Sequence, residues 1–192
     1  EYVNGSWSEL LTMLEKGEID LLSDVSFTKE RTQKMLFPSL PMGTEEYYLF
    51  ISPDNQEISS TKYSTLTGKK VGVNKGSIQK GLYDTWAKAN KIRSEIVELT
   101  CSEDESLRML ENGSLDAYVT VDSFANPTQA IPLIKIGSSD FFFAVNKNRP
   151  DLLSDLNYGM NKIQDENRYY NQQMFGKYFT KAGANAFLST EE

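Results

Sequence analysis

The chain has 192 residues and a formal net charge of −7, with 20 Lys and Arg against 27 Asp and Glu. This balance, with no basic block, argues against a nucleic-acid-binding protein. The chain has no His, the commonest general base and metal ligand, so a metal site is not expected. No cofactor is expected either.

The N-terminal third begins with a predicted helix over Ser6–Lys16, which has a capping-box pattern and apolar residues at helical spacing. The following elements are predicted over 19–22 (strand), 28–31 (short helix), 37–41 (extended), 47–52 (strand) and 53–63 (turns). Because a helix starts almost at residue 1 with no strand before it, we expect an excised piece of a longer protein.

The middle of the chain alternates strands and helices, which is typical of an α/β fold. The predicted elements are a short strand within 66–77, a helix over 78–90, a strand over 95–99, a helix over 103–111 and a strand over 115–120. Gly76 and Ser77 stand where the first of these helices begins, and backbone N–H groups at such an end favour an anion or a carbonyl group. The spacing matches no nucleotide-binding signature.

Two more strands are predicted over 131–136 and 141–145. A long helical region over 151–179 follows, with a break near Asn167. No stretch of the sequence approaches the roughly 20 apolar residues that span a bilayer.

One phrase occurs twice, because Met13–Asp20 recurs 96 residues later as Met109–Asp116. Each copy predicts a helix, a Gly in the left-handed conformation and a buried strand. Two such copies indicate two similar α/β lobes whose strands end at a shared cleft. Candidate ligand-binding residues should therefore lie just after each copy, at 23–31 and 120–122.

Several motifs together resemble the type-2 periplasmic solute-binding fold, family 3, whose members bind amino acids and similar solutes. The motifs are 17–31, 35–39, 66–73, 115–117, 143–147, 169–170 and 177–179. The resemblance implies an α/β fold, a two-lobed clamshell with the N-terminal part of lobe 1 missing. Lobe 1 would comprise 1–51 and 140–183, lobe 2 would comprise 52–139, and 184–192 would link to a following module.

In amino-acid-binding relatives the Arg of a Ser-x-Thr-x-x-Arg segment grips the ligand carboxylate, and Arg31 matches it here. A guanidinium offers two parallel charge-assisted bonds to a carboxylate, which Lys does not. Ser26 and Asp24 are neighbouring cleft positions by the same resemblance. The alternative is that Arg31 forms a surface ion pair with an acidic residue.

In lobe 2 the family's helix start corresponds to Gly76 and Ser77, but the next position, often Thr, is Ile78. The acidic residue for a ligand ammonium should follow Thr120, and Asp122 is the nearest, offset by about one place. Asp24 could supply that negative charge instead. The aromatic residues Trp7 and Tyr47 or Tyr48 either wall the ligand pocket or belong to the core.

The sequence thus predicts an extracytoplasmic, non-enzymatic sensor domain of a membrane-anchored bacterial protein, which closes around a small carboxylate-bearing solute. Membrane attachment would come only through parts outside this chain. The resemblance of 184–192 to a linker between sensor modules favours this interpretation. Three alternatives stay open: a receptor of an ABC importer, a dehydratase-like enzyme on the same fold, and a degenerate module kept for homodimer formation.

Overall fold

The computed structural model describes residues 2–124 and 128–178. The helices are α1 (Trp7–Lys16), α2 (Gln79–Ala89), α3 (Glu103–Glu111), α4 (Pro150–Glu166) and α5 (Tyr170–Tyr178). The strands are β1 (Leu21–Ser26), β2 (Met35–Leu36), β3 (Gly43–Ile51), β4 (Lys70–Asn74), β5 (Glu95–Leu99), β6 (Ala117–Val121) and β7 (Ile131–Asn146). Within the described ranges no helix is both long and apolar enough to cross a membrane.

The chain forms two compact units. Unit 1 takes the residues up to 5, residues 9–45 and those from 139 onward, and unit 2 takes residues 6–8 and 46–138. The chain therefore passes from one unit to the other within β3 and again within β7. The lobe boundaries predicted from the sequence were 51/52 and 139/140, whereas the units change at 45/46 and 138/139.

Unit 2 is built on parallel strands, as the alternating pattern of the sequence predicts. β4 pairs in parallel with both β5 and β6, and β3 pairs antiparallel with β6. Its core includes Leu49, Val71, Val73, Tyr83 and Val119, all at most 1% exposed. The carboxyl ends of β4, β5 and β6 consequently lie at one edge of the sheet.

Unit 1 is built around the second half of β7, with which both β1 and β2 pair antiparallel. Helix α1 buries Leu11 and Leu14, and Val25 and Met35 are buried in the strands. In order of hydrogen-bonded neighbours the strands run β1-β7-β3-β6-β4-β5, with β2 beside β7.

The repeated phrase adopts the same local structure twice. Gly17 and Gly113 have φ of 77° and 76°, the left-handed conformation that ends a helix. Each donates its N–H to a carbonyl three residues earlier, Gly17 to Leu14 at 3.2 Å and Gly113 to Leu110 at 3.3 Å. The two copies belong to different units, as the repeat predicts. The strands that follow them, β1 and β6, lie in one hydrogen-bonded sheet and not in two separate sheets, and they are not adjacent in it.

Several predicted boundaries were wrong. β1 begins at Leu21, not at residue 19, because the residues after Gly17 complete the helix end: Glu18 N–H donates to the Met13 carbonyl. The two strands predicted over 131–136 and 141–145 are the single strand β7, since the polar residues between them stay extended. The helix break near Asn167 is confirmed. The predicted linker over 184–192 lies outside the described residues.

Candidate functional site

Arg31 is held by the turn that follows β1 in unit 1. Its backbone N–H donates to Thr28 Oγ1 at 3.1 Å, and its Nη1 donates to the Ser26 carbonyl at 2.7 Å. Arg31 is only 9% exposed, and Ser26 is buried as well. The spacing of the Ser-x-Thr-x-x-Arg segment thus has a physical reason: Thr28 caps the turn, and the turn brings the guanidinium back to the end of β1.

The bond to the Ser26 carbonyl helps to orient the Arg31 guanidinium. A guanidinium has five N–H donors in a fixed plane, which suits it to an anion with two oxygens. The predicted pairing of Arg31 with a ligand carboxylate stays a prediction.

Asp24 lies in an irregularity of β1. The register between β1 and β7 shifts between Leu22 and Val25, and Asp24 has a φ of 61°. Bulges of this kind re-aim side chains and are common beside functional sites. The Asp24 residue is solvent-exposed, and its Oδ2 accepts a hydrogen bond from Ser23 Oγ at 3.3 Å. Surrounding protein atoms raise the pKa of its carboxyl by desolvation, and the Ser23 bond opposes the shift.

Three phenylalanines form a cluster next to Ser26, which the sequence analysis missed. The Phe27 ring centroid lies 5.2 Å from that of Phe37 and 6.0 Å from that of Phe142. Phe27 is 52% exposed although it packs against two other rings. The signal was available only in part, because Phe27 directly follows Ser26 but Phe142 comes from a strand far along the chain.

In unit 2, Gly76 and Ser77 form the turn before α2, as predicted. Gly76 has a φ of 77°, and Ser77 Oγ donates to the Asn74 carbonyl at 2.7 Å. The same oxygen accepts the Gln79 N–H at 3.2 Å. Ile78, at the cap position, makes no side-chain capping bond. The Ser77 hydroxyl therefore caps the helix that Ile78 leaves uncapped.

A polar network at the carboxyl end of β4 was not predicted from the sequence. Tyr118 donates its hydroxyl to Asn74 Oδ1 at 2.8 Å, and the Asn74 N–H donates to Gln79 Oε1 at 2.6 Å. Tyr118 is fully buried, and burial raises the pKa of its hydroxyl to about 12. Asn74 follows a buried strand, so the strand-end rule could have identified it, whereas nothing in the sequence pairs it with Tyr118.

Thr120 and Asp122 lie at the end of β6, beside β3. Thr120 is buried opposite Tyr48, and the Asp122 N–H donates to the Glu46 carbonyl at 2.9 Å. Burial, followed by the nearby Glu46 carboxylate, raises the pKa of the half-buried Asp122 carboxyl. Asp122 is thus a partly desolvated carboxyl in unit 2, and its predicted contact with a ligand ammonium stays a prediction.

Glu46 joins Asp122 to two further side chains of unit 2. It accepts hydrogen bonds from Lys135 and from the Tyr48 hydroxyl, the latter at 2.8 Å. These two bonds lower the pKa of the Glu46 carboxyl, chiefly through Lys135. Desolvation and the bond to Glu46 raise the pKa of Tyr48 to about 12. Glu46, Tyr48 and Lys135 were not singled out as an electrostatic group by the sequence.

The remaining aromatic candidates differ in burial. Tyr47 is 5% exposed and pairs with Val121, so it belongs to the core. Trp7 and Tyr48 are half-buried. In residues 2–124 and 128–178 no three His, Cys, Asp or Glu side chains are grouped so that they could hold a metal ion.

A curated protein resembles most of this chain. The chain is 25% identical over 175 residues to the L-cystine-binding protein TcyJ of Bacillus subtilis (strain 168), covering 85% of this chain and 63% of that protein. It therefore spans less than two thirds of the length of that curated relative.

Two solved structures have the same fold. A putative L-cystine ABC transporter protein from Listeria monocytogenes matches with a TM-score of 0.75 and 21% identity, over 96% of this chain and 79% of that one. A histidine kinase sensor domain with similarity to periplasmic binding proteins matches with a TM-score of 0.72 and 20% identity, over 93% and 78%.

These matches confirm the predicted α/β periplasmic-binding-protein fold. The model of one family, whose members are described as extracellular, matches residues 1–181. The chain therefore belongs to the bacterial extracellular solute-binding proteins, family 3.

Proposed function

We propose that this chain is a non-enzymatic, extracytoplasmic module that binds a small amino-acid-like solute through its carboxylate. The observation that carries the proposal is the buried Arg31 guanidinium, which a hydrogen bond to the Ser26 carbonyl helps to orient. A guanidinium suits a carboxylate because it can form two parallel charge-assisted hydrogen bonds to it. The half-buried carboxyl of Asp122 supports a ligand that also carries a positive group.

We further propose that ligand binding serves as a sensory signal. A histidine kinase sensor domain with this fold supports the proposal. Binding can shift a conformational equilibrium only by the ligand's difference in affinity between the states. A sensory function therefore requires a measurable conformational response to the ligand.

A receptor of an ABC importer is the second candidate function. The cystine-binding relative from Bacillus subtilis and the cystine transporter structure favour it. The two candidates share the ligand site and differ in the partner. Co-purification of the full-length protein with a permease and an ATPase would favour the importer, and ligand-dependent output from an attached kinase or cyclase domain would favour the sensor.

The test of the binding proposal is a thermal-shift screen with cystine and the standard amino acids, followed by calorimetry on Arg31 variants. Arg31→Ala should weaken binding of the ligand found by about 2–5 kcal/mol, as truncation of one member of a buried charge pair does. Arg31→Lys should restore little of this, because an ammonium cannot form two parallel bonds.

Arg108→Ala is the matched control, because Arg108 is exposed and pairs with Glu105 on α3. It should leave the affinity unchanged. Since Arg31 also bonds to the backbone, circular dichroism must first show that its variants are folded. Folded Arg31→Ala and Arg31→Lys variants that bind as tightly as the parent would contradict the proposed role of Arg31.

A further inference from the structure

A cavity of about 550 Å³ lies in unit 2 between the end of α2 and the start of β5. Its lining includes Lys88, Lys91 and Arg93. β4, β5 and β6 are parallel, and the candidate solute-site residues of unit 2 lie at the carboxyl ends of β4 and β6. This cavity lies at the opposite edge of the sheet, at the amino end of β5, so it is separate from that site.

The cavity is positively charged in a chain that is acidic overall. Lys88, Lys91 and Arg93 are all exposed, and none of them forms an ion pair within the described ranges. Asp84 also lines the cavity, but Lys80 bonds to its Oδ2 at 2.6 Å. Three cations are thus left with no carboxylate partner among the described residues, although the net charge of the chain is −7.

Lys91 occupies a backbone position where glycine is usual. Its φ is 58°, and the Ile92 N–H donates to the Ala87 carbonyl at 2.8 Å, five residues back. This is the helix-ending motif whose left-handed residue is normally Gly, because a side chain there is strained. The strained turn therefore places a charged side chain beside the cavity, where glycine would place none.

Several of the last carbonyls of α2 accept hydrogen bonds, which reduces the partial negative charge that this helix end presents to an anion. The Trp86 carbonyl accepts from the Asn90 N–H and side-chain amide, and the Lys88 carbonyl accepts from the Lys91 N–H. The hydroxyl groups of Ser94 and Tyr83, which line the cavity, also have hydrogen-bond partners. Ser94 Oγ bonds to the Tyr83 hydroxyl and donates to the Leu66 carbonyl. These polar groups are therefore fixed in place before any ligand binds.

We propose that this cavity binds a doubly charged tetrahedral oxyanion of the phosphate class, at a site distinct from the solute site. Three cations around one cavity suit a dianion, and the planar Arg93 guanidinium can bind two oxygens at once. A single carboxylate would use only part of this charge. The phosphate could be a free anion or the headgroup of an anionic lipid, since both present the same group.

The first experiment titrates the folded chain with inorganic phosphate and with acetate at equal ionic strength, with amide chemical shifts as the readout. Phosphate should shift the amides of residues 88–94 and acetate should not. The affinity should fall as salt is added. Equal shifts with both anions, or none with phosphate, would overturn the free-anion form of the proposal.

Lys91→Gly separates charge from folding. It should weaken phosphate binding, yet keep or raise the melting temperature, because glycine relieves the left-handed strain. Lys88→Gln with Arg93→Gln should lower phosphate affinity about tenfold. The control pair Lys62→Gln with Lys147→Gln, two exposed lysines elsewhere, changes the net charge equally and should leave it unchanged.

Asp84→Asn should strengthen phosphate binding, because it removes the one carboxylate of the lining and releases Lys80. Vesicles of phosphatidic acid, with phosphatidylcholine vesicles as the control, test the lipid source with the same variants. Vesicle binding that depends on Lys88, Lys91 and Arg93 would assign the site to a headgroup. If neither phosphate nor vesicles bind in a way that these variants change, the proposal is wrong.

Discussion

The pKa values of two neighbouring carboxyls, the candidate site residue Asp122 and Glu46, shift in opposite directions. Lys135 and Tyr48 hydrogen-bond to Glu46 and lower its pKa. Desolvation by burial, followed by repulsion from the Glu46 carboxylate, raises the pKa of the Asp122 carboxyl above its usual 3.8. The ionised form of Asp122 is therefore unfavourable in the folded protein.

We predict that Asp122→Asn stabilises the protein at neutral pH. Because the folded state holds the Asp122 proton more tightly than the unfolded state, the free energy of unfolding falls as the pH rises from 3.8 through the raised pKa. The variant removes this loss, so its advantage over the parent should be present at pH 7 and absent well below pH 3.8. Urea unfolding at several pH values measures the difference.

Asp54→Asn serves as the control, since Asp54 is exposed in a turn after β3. It removes the same charge without the desolvated surroundings and should give no such pH-dependent gain. A lower stability of Asp122→Asn than of the parent at pH 7 would mean that the carboxylate has a favourable partner, and the assignment of its raised pKa would be wrong.

At the scale of elements, Gly72 is needed where β4 passes under neighbouring side chains. A Cβ on Gly72 would lie 2.7 Å from Leu115 Cδ1 and 3.2 Å from Leu99 Cδ1. Both leucines are buried in a packed core and have little room to move. Gly72→Ala should therefore destabilise the chain by about 1–3 kcal/mol, measured by thermal unfolding.

Gly81→Ala is the matched control within the same unit. Gly81 lies in α2, and a Cβ there meets no atom within 4 Å. Alanine in an open helix position should raise stability by up to about 1 kcal/mol. Equal effects of the two substitutions would contradict the packing argument for Gly72.

The sequence predicted elements best where the signal is local. α3 and β5 have their predicted bounds, and Ser102 caps α3 by accepting the Glu105 N–H. Distant pairing was not predictable in the same way. The second half of β7 pairs with β1, which lies far away in the sequence, and the Tyr118 bond to Asn74 joins residues 44 positions apart.

The candidate site shows the same division. The family pattern placed Arg31, Ser26, Gly76 and Ser77, and local hydrogen bonds explain their spacing. The cationic cavity was not predicted, because its lysines and arginine have ordinary spacing in the sequence. Only the fold shows that they surround one cavity and that Lys91 has a left-handed backbone.

For the whole molecule, the two strands at the ends of the hydrogen-bonded order differ in how well their free edges are protected from pairing with another chain. β1 and β5 each have one hydrogen-bonded neighbour among the described strands. β5 has exposed glutamates at 95 and 98, which discourage pairing with another chain. β1 has an exposed carboxylate and a bulge only at Asp24, and the start of its edge presents Leu21, which is 37% exposed. An edge of this kind favours association between copies.

We predict that the chain self-associates through β1 as its concentration rises, and that Leu21→Lys reduces this association. A lysine on an edge strand must be desolvated when another strand pairs beside it, so the associated state loses stability. Tyr158→Lys is the control. Tyr158 lies on α4 and is 73% exposed, so this substitution adds the same charge at a site away from β1. Light scattering across a concentration series measures the mean mass of each variant. A monomer mass for the parent at every concentration, or equal association of the parent and Leu21→Lys, would show that β1 does not mediate contacts between copies.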